Sequence, residues 1–324
     1  MPPRKQSVPS TVAECAALID RVLENIEVVL QGKDDRVRLA ITCMLAGGHL
    51  LIEDVPGVGK TLLAKSLART MGCAWRRIQF TPDLLPTDIT GVSVYNQERR
   101  NFEFKPGAIF ANVVLGDEVN RASPKTQSAL LEAMEERQAT VDGVTYPLPE
   151  PFLVIATQNP IEHEGTYPLP AAQLDRFLLR LSLGYPSADA EIQVLHTHGR
   201  HSALEELEAI TDARSIIALS EAAGGVHVAD SLMAYIVDLV SSTRATSELT
   251  LGASPRASLA LLRAARAYAL TDARDYIVPD DIKTLAVPVL AHRVIAAPEA
   301  EMSGRTSSDV LEDLLDEVPV PIRG

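Results

Sequence analysis

Lys60 and Thr61 stand together at the end of a turn-forming run, Pro56-Gly57-Val58-Gly59, and Leu62 begins a stretch that favours helix. A lysine beside a hydroxyl at a helix start is suited to hold phosphate. The first N–H groups of a helix have no partner inside it, and its dipole favours an anion there. Lys60 would reach the outer phosphates of a nucleoside triphosphate, and the Thr61 hydroxyl would ligate Mg²⁺. The general pattern for such a loop, G-x-x-x-x-G-K-[ST], is met at Gly59, Lys60 and Thr61, but Asp54 stands where its first glycine belongs. The same residues would also serve as a plain glycine-rich connection, so the neighbouring elements have to decide.

Two further polar groups sit at the ends of apolar runs. Asp117 and Glu118 close Asn112-Val113-Val114-Leu115-Gly116, and Asn159 closes the run from Pro151 to Gln158. Parallel sheets bind ligands at the carboxyl ends of their strands. There Asp117 would hold Mg²⁺ through its water shell, and Glu118 would orient, or take a proton from, an attacking water. An acidic cap for the following helix is the alternative. Downstream of a phosphate loop, the adjacent glutamate favours hydrolysis over transfer to a small molecule.

The elements that must position these groups alternate. Helical spacing of apolar residues runs over 11–31 and 36–46, and Gly47-Gly48 ends the second stretch. Short apolar runs at 49–54, 75–80, 112–118, 151–159 and 176–185 read as buried strands, with helices over 60–71, 123–137 and 171–175 between them. That order predicts a parallel sheet with crossover helices. Segments 91–109 and 138–148 read as hairpins, the second turning at Asp142-Gly143, and 81–91 reads as a loop. After Pro186 the pattern becomes helical to about residue 297, with no good strand; beyond Glu299 an acidic tail holds one short helix at 308–318. The expected organisation is a flexible tail (1–10), an α/β domain (11–186) and a helical domain with an acidic C-terminal tail (187–324).

Composition narrows the class. The chain has 324 residues, with 30 Lys plus Arg against 43 Asp plus Glu, a net charge of −13 that argues against broad binding to nucleic acid or anionic membrane. Cys15, Cys43 and Cys73 are far apart, giving neither a disulfide framework nor a zinc site, which fits a reducing cytosol. The longest uncharged stretch, Leu39 to Ile52, is too short to span a bilayer, and the polar N-terminus has no apolar core for a signal peptide. A cytoplasmic protein is expected. His196, His198 and His201 do not share a helix face and read as a solvated helix end.

Three blocks, LIEDVPGVGKTLLAKSLA, DEVNRASPKTQSALLEAMEERQ and ATQNPIEHEGTYPLPAAQLDRF, together closely resemble the MoxR family of AAA+ ATPases over roughly residues 15–295. The Asp54 that departs from the general phosphate loop is usual in that family. The resemblance implies an α/β P-loop domain with strand order 5-1-4-3-2, a helical lid, and hairpins inserted where two are read here. It also implies a homo-oligomeric ring, usually hexameric, with ATP or ADP and Mg²⁺ bound between subunits. Lys60 and Thr61 match Walker A, within a nucleotide loop from Pro56 through Gly57, Val58 and Gly59 to Leu62; Asp117 and Glu118 match Walker B. Asn159 matches sensor 1, although before Pro160 it would also shape a turn. Arg176 matches an arginine finger that reaches the neighbouring subunit's nucleotide, although a surface arginine paired with Asp175 is the alternative. Arg256 matches sensor 2, a lid arginine acting on the nucleotide of its own subunit. It lies in a first helical turn, where a cation is disfavoured and needs a reason such as a phosphate partner. Gly116 and Ala171 depart from the family's usual alanine and acid. The function implied is ATP-driven remodelling or maturation of a client protein beside a von Willebrand A-type partner, with no nucleic acid and no membrane insertion. The alternative is a nucleotide-gated scaffold whose turnover is incidental.

Overall fold

A strand buried on both faces needs apolar side chains at consecutive positions, because neighbours point to opposite sides of the sheet. In the computed structural model, which describes residues 8–159, 165–189, 191–192 and 203–321, that is how the apolar runs are used. Leu50, Ile52, Val113, Leu115, Leu153 and Ile155 enter one core, whereas Leu51, Val114, Val154 and Ala156 enter a second on the opposite face. His196, His198 and His201 lie outside the described residues.

The chain starts with α1 (Val12–Glu27) and α2 (Asp34–Leu45). Thr11 and Glu14 cap α1 reciprocally: the Thr11 hydroxyl accepts from the Glu14 N–H at 3.2 Å, and the Glu14 carboxylate accepts from the Thr11 N–H at 3.1 Å. Then follow β1 (Leu50–Glu53), α3 (Lys60–Thr70), β2 (Trp75–Gln79), α4 (Pro86–Thr90), β3 (Gly91–Asn96), β4 (Asn101–Pro106) and β5 (Val113–Asp117). Next come α5 (Pro124–Glu136), β6 (Gln138–Val141), β7 (Val144–Pro147), β8 (Leu153–Gln158), α6 (Ala171–Leu174) and β9 (Leu179–Leu181). The main sheet has the order β2-β5-β8-β1-β9, and its pairs are parallel. With the hairpin strands set aside this is the expected 5-1-4-3-2 order. Strands β3 and β4 form one antiparallel hairpin and β6 and β7 the other. Asp142 and Gly143 turn the second hairpin with φ of 51° and 79°, the two left-handed residues of a type I′ turn.

Four longer helices, Ala213–Gly224, Asp230–Ala245, Pro255–Thr271 and Pro279–Leu290, form the lid. Their buried residues share one continuous core with α1, α2 and α3. Among the described residues no helix is long and apolar enough to cross a membrane.

The structure corrects four local expectations. Segment 81–91, read as a loop, contains α4, whose start is set by Pro86 and by Asp88 accepting from the Leu85 N–H. The strand read over 176–185 is only the three residues of β9. Beyond Leu181 the Leu183 and Gly184 N–H groups turn to the Asp54 carboxylate, which replaces a neighbouring strand as their acceptor. The helical part carries a small antiparallel pair, β10 (Leu249–Leu251) with β11 (Ile295–Ala296). These strands are too short for periodicity to reveal. The acidic end holds one helix more than expected: Pro298–Met302 precedes Ser307–Glu317, the helix read there from sequence, which buries Val310, Leu311, Leu314 and Leu315.

Candidate functional site

Strand β1 lies between β8 and β9, and β8 lies beside β5. The loops leaving the carboxyl ends of β1, β5 and β8 therefore emerge side by side. This is where an open parallel sheet makes its binding crevice. A cleft of about 550 Å³ opens there, and Pro56, Gly57, Gly59, Lys60, Thr61 and Leu62 line it on one side. Asp117, Glu118 and Asn159 line the other. Nine of the residues singled out from sequence thus meet at one place. Val58 is the exception within the loop: it is buried in the core beneath and anchors the turn.

The loop's shape follows from its glycines. Gly57 and Gly59 have φ of +88° and +101°, a region that side-chain-bearing residues rarely adopt. Gly59 caps α3, and an added Cβ would also crowd Leu30 at 3.2 Å. Lys60 is half-buried. Burial pulls its ammonium pKa down, and the negative charges of Asp54, Asp117 and Glu118 oppose that. Its Nζ donates to the Asp54 carbonyl at 2.6 Å, which keeps it at the mouth of the loop.

Asp54, the residue that breaks the general pattern, holds the loop from behind. Its carboxylate accepts from the Ser182 hydroxyl at 2.9 Å and from the Leu183 and Gly184 N–H groups at 2.5 and 3.2 Å. The side chain links the root of the phosphate loop to the segment after β9. Asp54→Ala would leave those donors without this acceptor in a largely buried setting. The expected cost is about 1–3 kcal/mol, read from the urea midpoint, together with weaker ATP binding. An unshifted midpoint would show that the loop is held by other contacts.

Asp117 and Glu118 are neighbours, and in a continuing strand their side chains would point to opposite faces. Glu118 instead takes φ 60° and ψ 51°, a left-handed conformation that is costly for a non-glycine residue. Both carboxylates consequently face the cleft. Thr157 on β8 supports the kink: its hydroxyl accepts from the Glu118 N–H at 2.9 Å and donates to Asp117 Oδ1 at 2.6 Å. Two residues of β2 complete the acidic end. Arg77 Nη2 lies 2.6 Å from Asp117 Oδ2, and Gln79 Nε2 donates to Glu118 Oε2 at 2.9 Å. Arg121 Nε lies 3.3 Å from the same Glu118 oxygen. Sequence reasoning missed Arg77, Gln79 and Thr157. The available signal was the polar pair two positions apart at the carboxyl end of β2, which puts both on one face.

The oxygen donors fit a hard divalent cation. Thr61 and Asp117 line the same cleft, a hydroxyl and a carboxylate being the ligand types Mg²⁺ takes alongside water and phosphate.

Arg176 and Arg256 are not part of this cleft. They line a separate cavity together with Glu135, whose carboxylate lies 3.1 Å from Arg176 Nη2 and 2.5 Å from Arg256 Nη2. The lid helix Pro255–Thr271 places Arg256, expected to serve the nucleotide of its own subunit, beside Arg176 in a cavity whose lining does not include Lys60. Arg176 pairs with Glu135, whereas Asp175 pairs with the lid's Arg293 at 2.7 Å.

Comparison with known proteins agrees with this architecture. Residues 49–179 match the family described as the ATPase family associated with various cellular activities (AAA), and residues 241–314 match the AAA lid domain. The chain is 50% identical to the uncharacterized protein YeaC of Bacillus subtilis, over 94% of this chain and 96% of that one. It is 41% identical to Chaperone MoxR1 of Mycobacterium tuberculosis, over 94% of this chain and 82% of that one. A crystal structure from Cytophaga hutchinsonii, described as a candidate ATPase, superposes with a TM-score of 0.90 at 40% identity, covering 96% of this chain and 97% of that one. With 41% identity to a MoxR chaperone over most of both chains, and matches to both the AAA and the AAA lid families, the chain belongs to the MoxR family of AAA+ ATPases.

Proposed function

We propose that this protein is a Mg²⁺-dependent ATPase that works as a ring, each protomer completing its neighbour's site, and that hydrolysis drives remodelling or maturation of a client protein. The observation that carries this reading is the separation of the two halves of the machinery. One cleft gathers Lys60, Thr61, Asp117, Glu118 and Asn159, while Arg176 and Arg256 are paired in a different cavity of the same chain. Such a separation supports a site that is completed only when one copy's arginines meet another copy's cleft.

In this reading Pro56 to Leu62 wrap the phosphates, and Lys60 releases the Asp54 carbonyl to donate to them. Mg²⁺ bound by Thr61 and Asp117 would neutralise charge on the outer phosphates. Glu118, kinked into the cleft, orients the attacking water and draws off its proton; Asn159 helps hold that water. Arg176 and Arg256 act from the neighbouring protomer on the charge that develops in the transition state. Coupling to work would come from the lid, which carries Arg256 and moves relative to the sheet as that contact is made and lost. We assign the α/β part to residues 11–186 and the lid to residues from 187 onward. The MoxR likeness brings with it a protein client, a partner of von Willebrand A type, a hexameric ring and a cytoplasmic setting.

The test is ATPase rate per protomer against protein concentration. The rate rises as the ring assembles and then levels off. A rate per protomer that stays constant down to concentrations where sedimentation shows only monomer would overturn the shared-site reading.

A further inference from the structure

The cavity that holds Arg176 and Arg256 contains more than those two side chains. Five arginines line it, Arg137, Arg176, Arg256, Arg263 and Arg293, against two carboxylates, Glu135 and Asp175. Even with both acids ionised the cavity keeps an excess of positive charge, which suits an incoming anion. Bringing guanidinium groups together is itself unfavourable, because like charges repel. Something must hold them in place before the anion arrives.

Glu135, in the last turn of α5, is placed to do this. Each of its carboxylate oxygens takes a different arginine: Oε1 takes Arg256 Nη2 at 2.5 Å and Oε2 takes Arg176 Nη2 at 3.1 Å. The hydrogen bond from Arg256, aided by the charge of Arg176, holds the Glu135 carboxyl below the usual range, so it is ionised at neutral pH. A guanidinium carries five N–H donors in a planar fork. One from each arginine goes to Glu135, Arg256 Nη1 also lies 3.9 Å from Asp175 Oδ2, and the side chains remain 30% and 55% exposed, leaving further donors to meet a phosphate.

The backbone on either side of Arg176 is fixed as well. Buried Arg293 bonds Asp175 Oδ1 at 2.7 Å and donates to the carbonyls of Asp175, Phe177 and Leu178 at 3.2, 2.6 and 3.2 Å. The segment bearing Arg176 is thereby attached to the lid, which also carries Arg256.

We propose that Glu135 is the positioning residue of the shared site: its carboxylate bridges Arg176 and Arg256 into one preassembled cationic pair that binds the terminal phosphate on the neighbouring protomer as a unit. This rests on the reading that Arg176 acts between subunits. Glu135 does not touch the nucleotide; it fixes the spacing of the two groups that do. Because those groups come from the sheet domain and the lid of one subunit, the bridge also couples that subunit's lid angle to the nucleotide of its neighbour.

The experiment uses full-length Glu135→Ala and Glu135→Gln, with Arg176→Ala, Arg256→Ala and the combined variants. Glu135 is about one-third exposed, so the fold should persist, and binding of a fluorescent ATP analogue to each variant's own phosphate loop verifies this. Expected is a kcat lowered on the order of 10- to 10²-fold, with KM and analogue Kd changed by less than about two-fold. Adding Glu135→Ala to Arg176→Ala/Arg256→Ala should cause no further loss, since Glu135 acts through those two groups. Mixing Glu135→Ala with Lys60→Ala should restore turnover, because the second protein supplies an intact arginine pair. Turnover of Glu135→Ala that is unchanged, or faster than wild type as a released latch would give, overturns the proposal. A further loss in the triple variant does so too. If Arg176→Ala is itself fully active, the shared-site reading has failed rather than the role of Glu135.

Discussion

Glu118→Gln will bind ATP as tightly as the wild type and hydrolyse it about 10²- to 10⁴-fold more slowly. The substitution keeps the shape of the side chain and removes its ability to take a proton. The residues proposed to hold phosphate, Lys60 and its loop neighbours Pro56, Gly57, Gly59, Thr61 and Leu62, line the same cleft and are untouched by the substitution. The backbone kink should survive, because it is held by the Thr157 hydroxyl accepting from the Glu118 N–H and not by the carboxylate. Binding measured with a fluorescent analogue and turnover measured in the same preparation separate the two effects. The variant also distinguishes a remodeller from a nucleotide-gated scaffold. A remodeller loses action on its client while holding ATP, whereas a scaffold keeps its partner function. A variant with near-normal turnover would remove Glu118 from the reaction and shift attention to Asp117.

The second large effect belongs to Arg176→Ala. Arginines that complete a neighbour's site accelerate hydrolysis by about 10³- to 10⁵-fold in GTPases, and a loss of that order is expected here in the assembled ring. ATP affinity of the isolated protomer should not change, because Arg176 is absent from the lining of its own nucleotide cleft. The chemical reason to expect so much from one side chain is the charge that accumulates on the transferring phosphoryl group; a fixed guanidinium meets that charge without reorganising. Glu135 and Arg293 supply the fixing. A drop confined to KM, with kcat intact, would mean that Arg176 helps substrate bind and takes no part in the transition state.

Much of this arrangement is legible in the sequence, and the parts that are not share a physical cause. Strands buried on both faces announce themselves as short apolar runs, so β1, β5 and β8 could be read, and polar residues at their ends marked the site. The phosphate loop was readable despite Asp54, because the strand, glycines and helix start around it carry the physics. What Asp54 does was not readable. Its partners, Ser182, Leu183 and Gly184, lie far along the chain and come close only through the β1–β9 pairing. The same holds for Arg77 and Gln79, whose roles depend on β2 lying beside β5. Arg256 shows the limit most clearly. Its helix and its position in the first turn, where a cation needs a reason such as a phosphate partner, follow from local sequence. Which carboxylate it meets depends on how the lid packs, and that partner proves to be Glu135, shared with Arg176.

The proposed site divides its catalytic groups between two copies of the chain. Mixing Arg176→Ala, which keeps its phosphate loop, with Lys60→Ala, which keeps its arginines, tests this most directly. Each protein alone should be nearly inactive, and the mixture should recover a measurable share of wild-type ATPase that grows as the two approach equal amounts. A mixture as inactive as its parts, although mixed rings demonstrably form, would contradict the account; so would Arg176→Ala that hydrolyses ATP at the wild-type rate by itself.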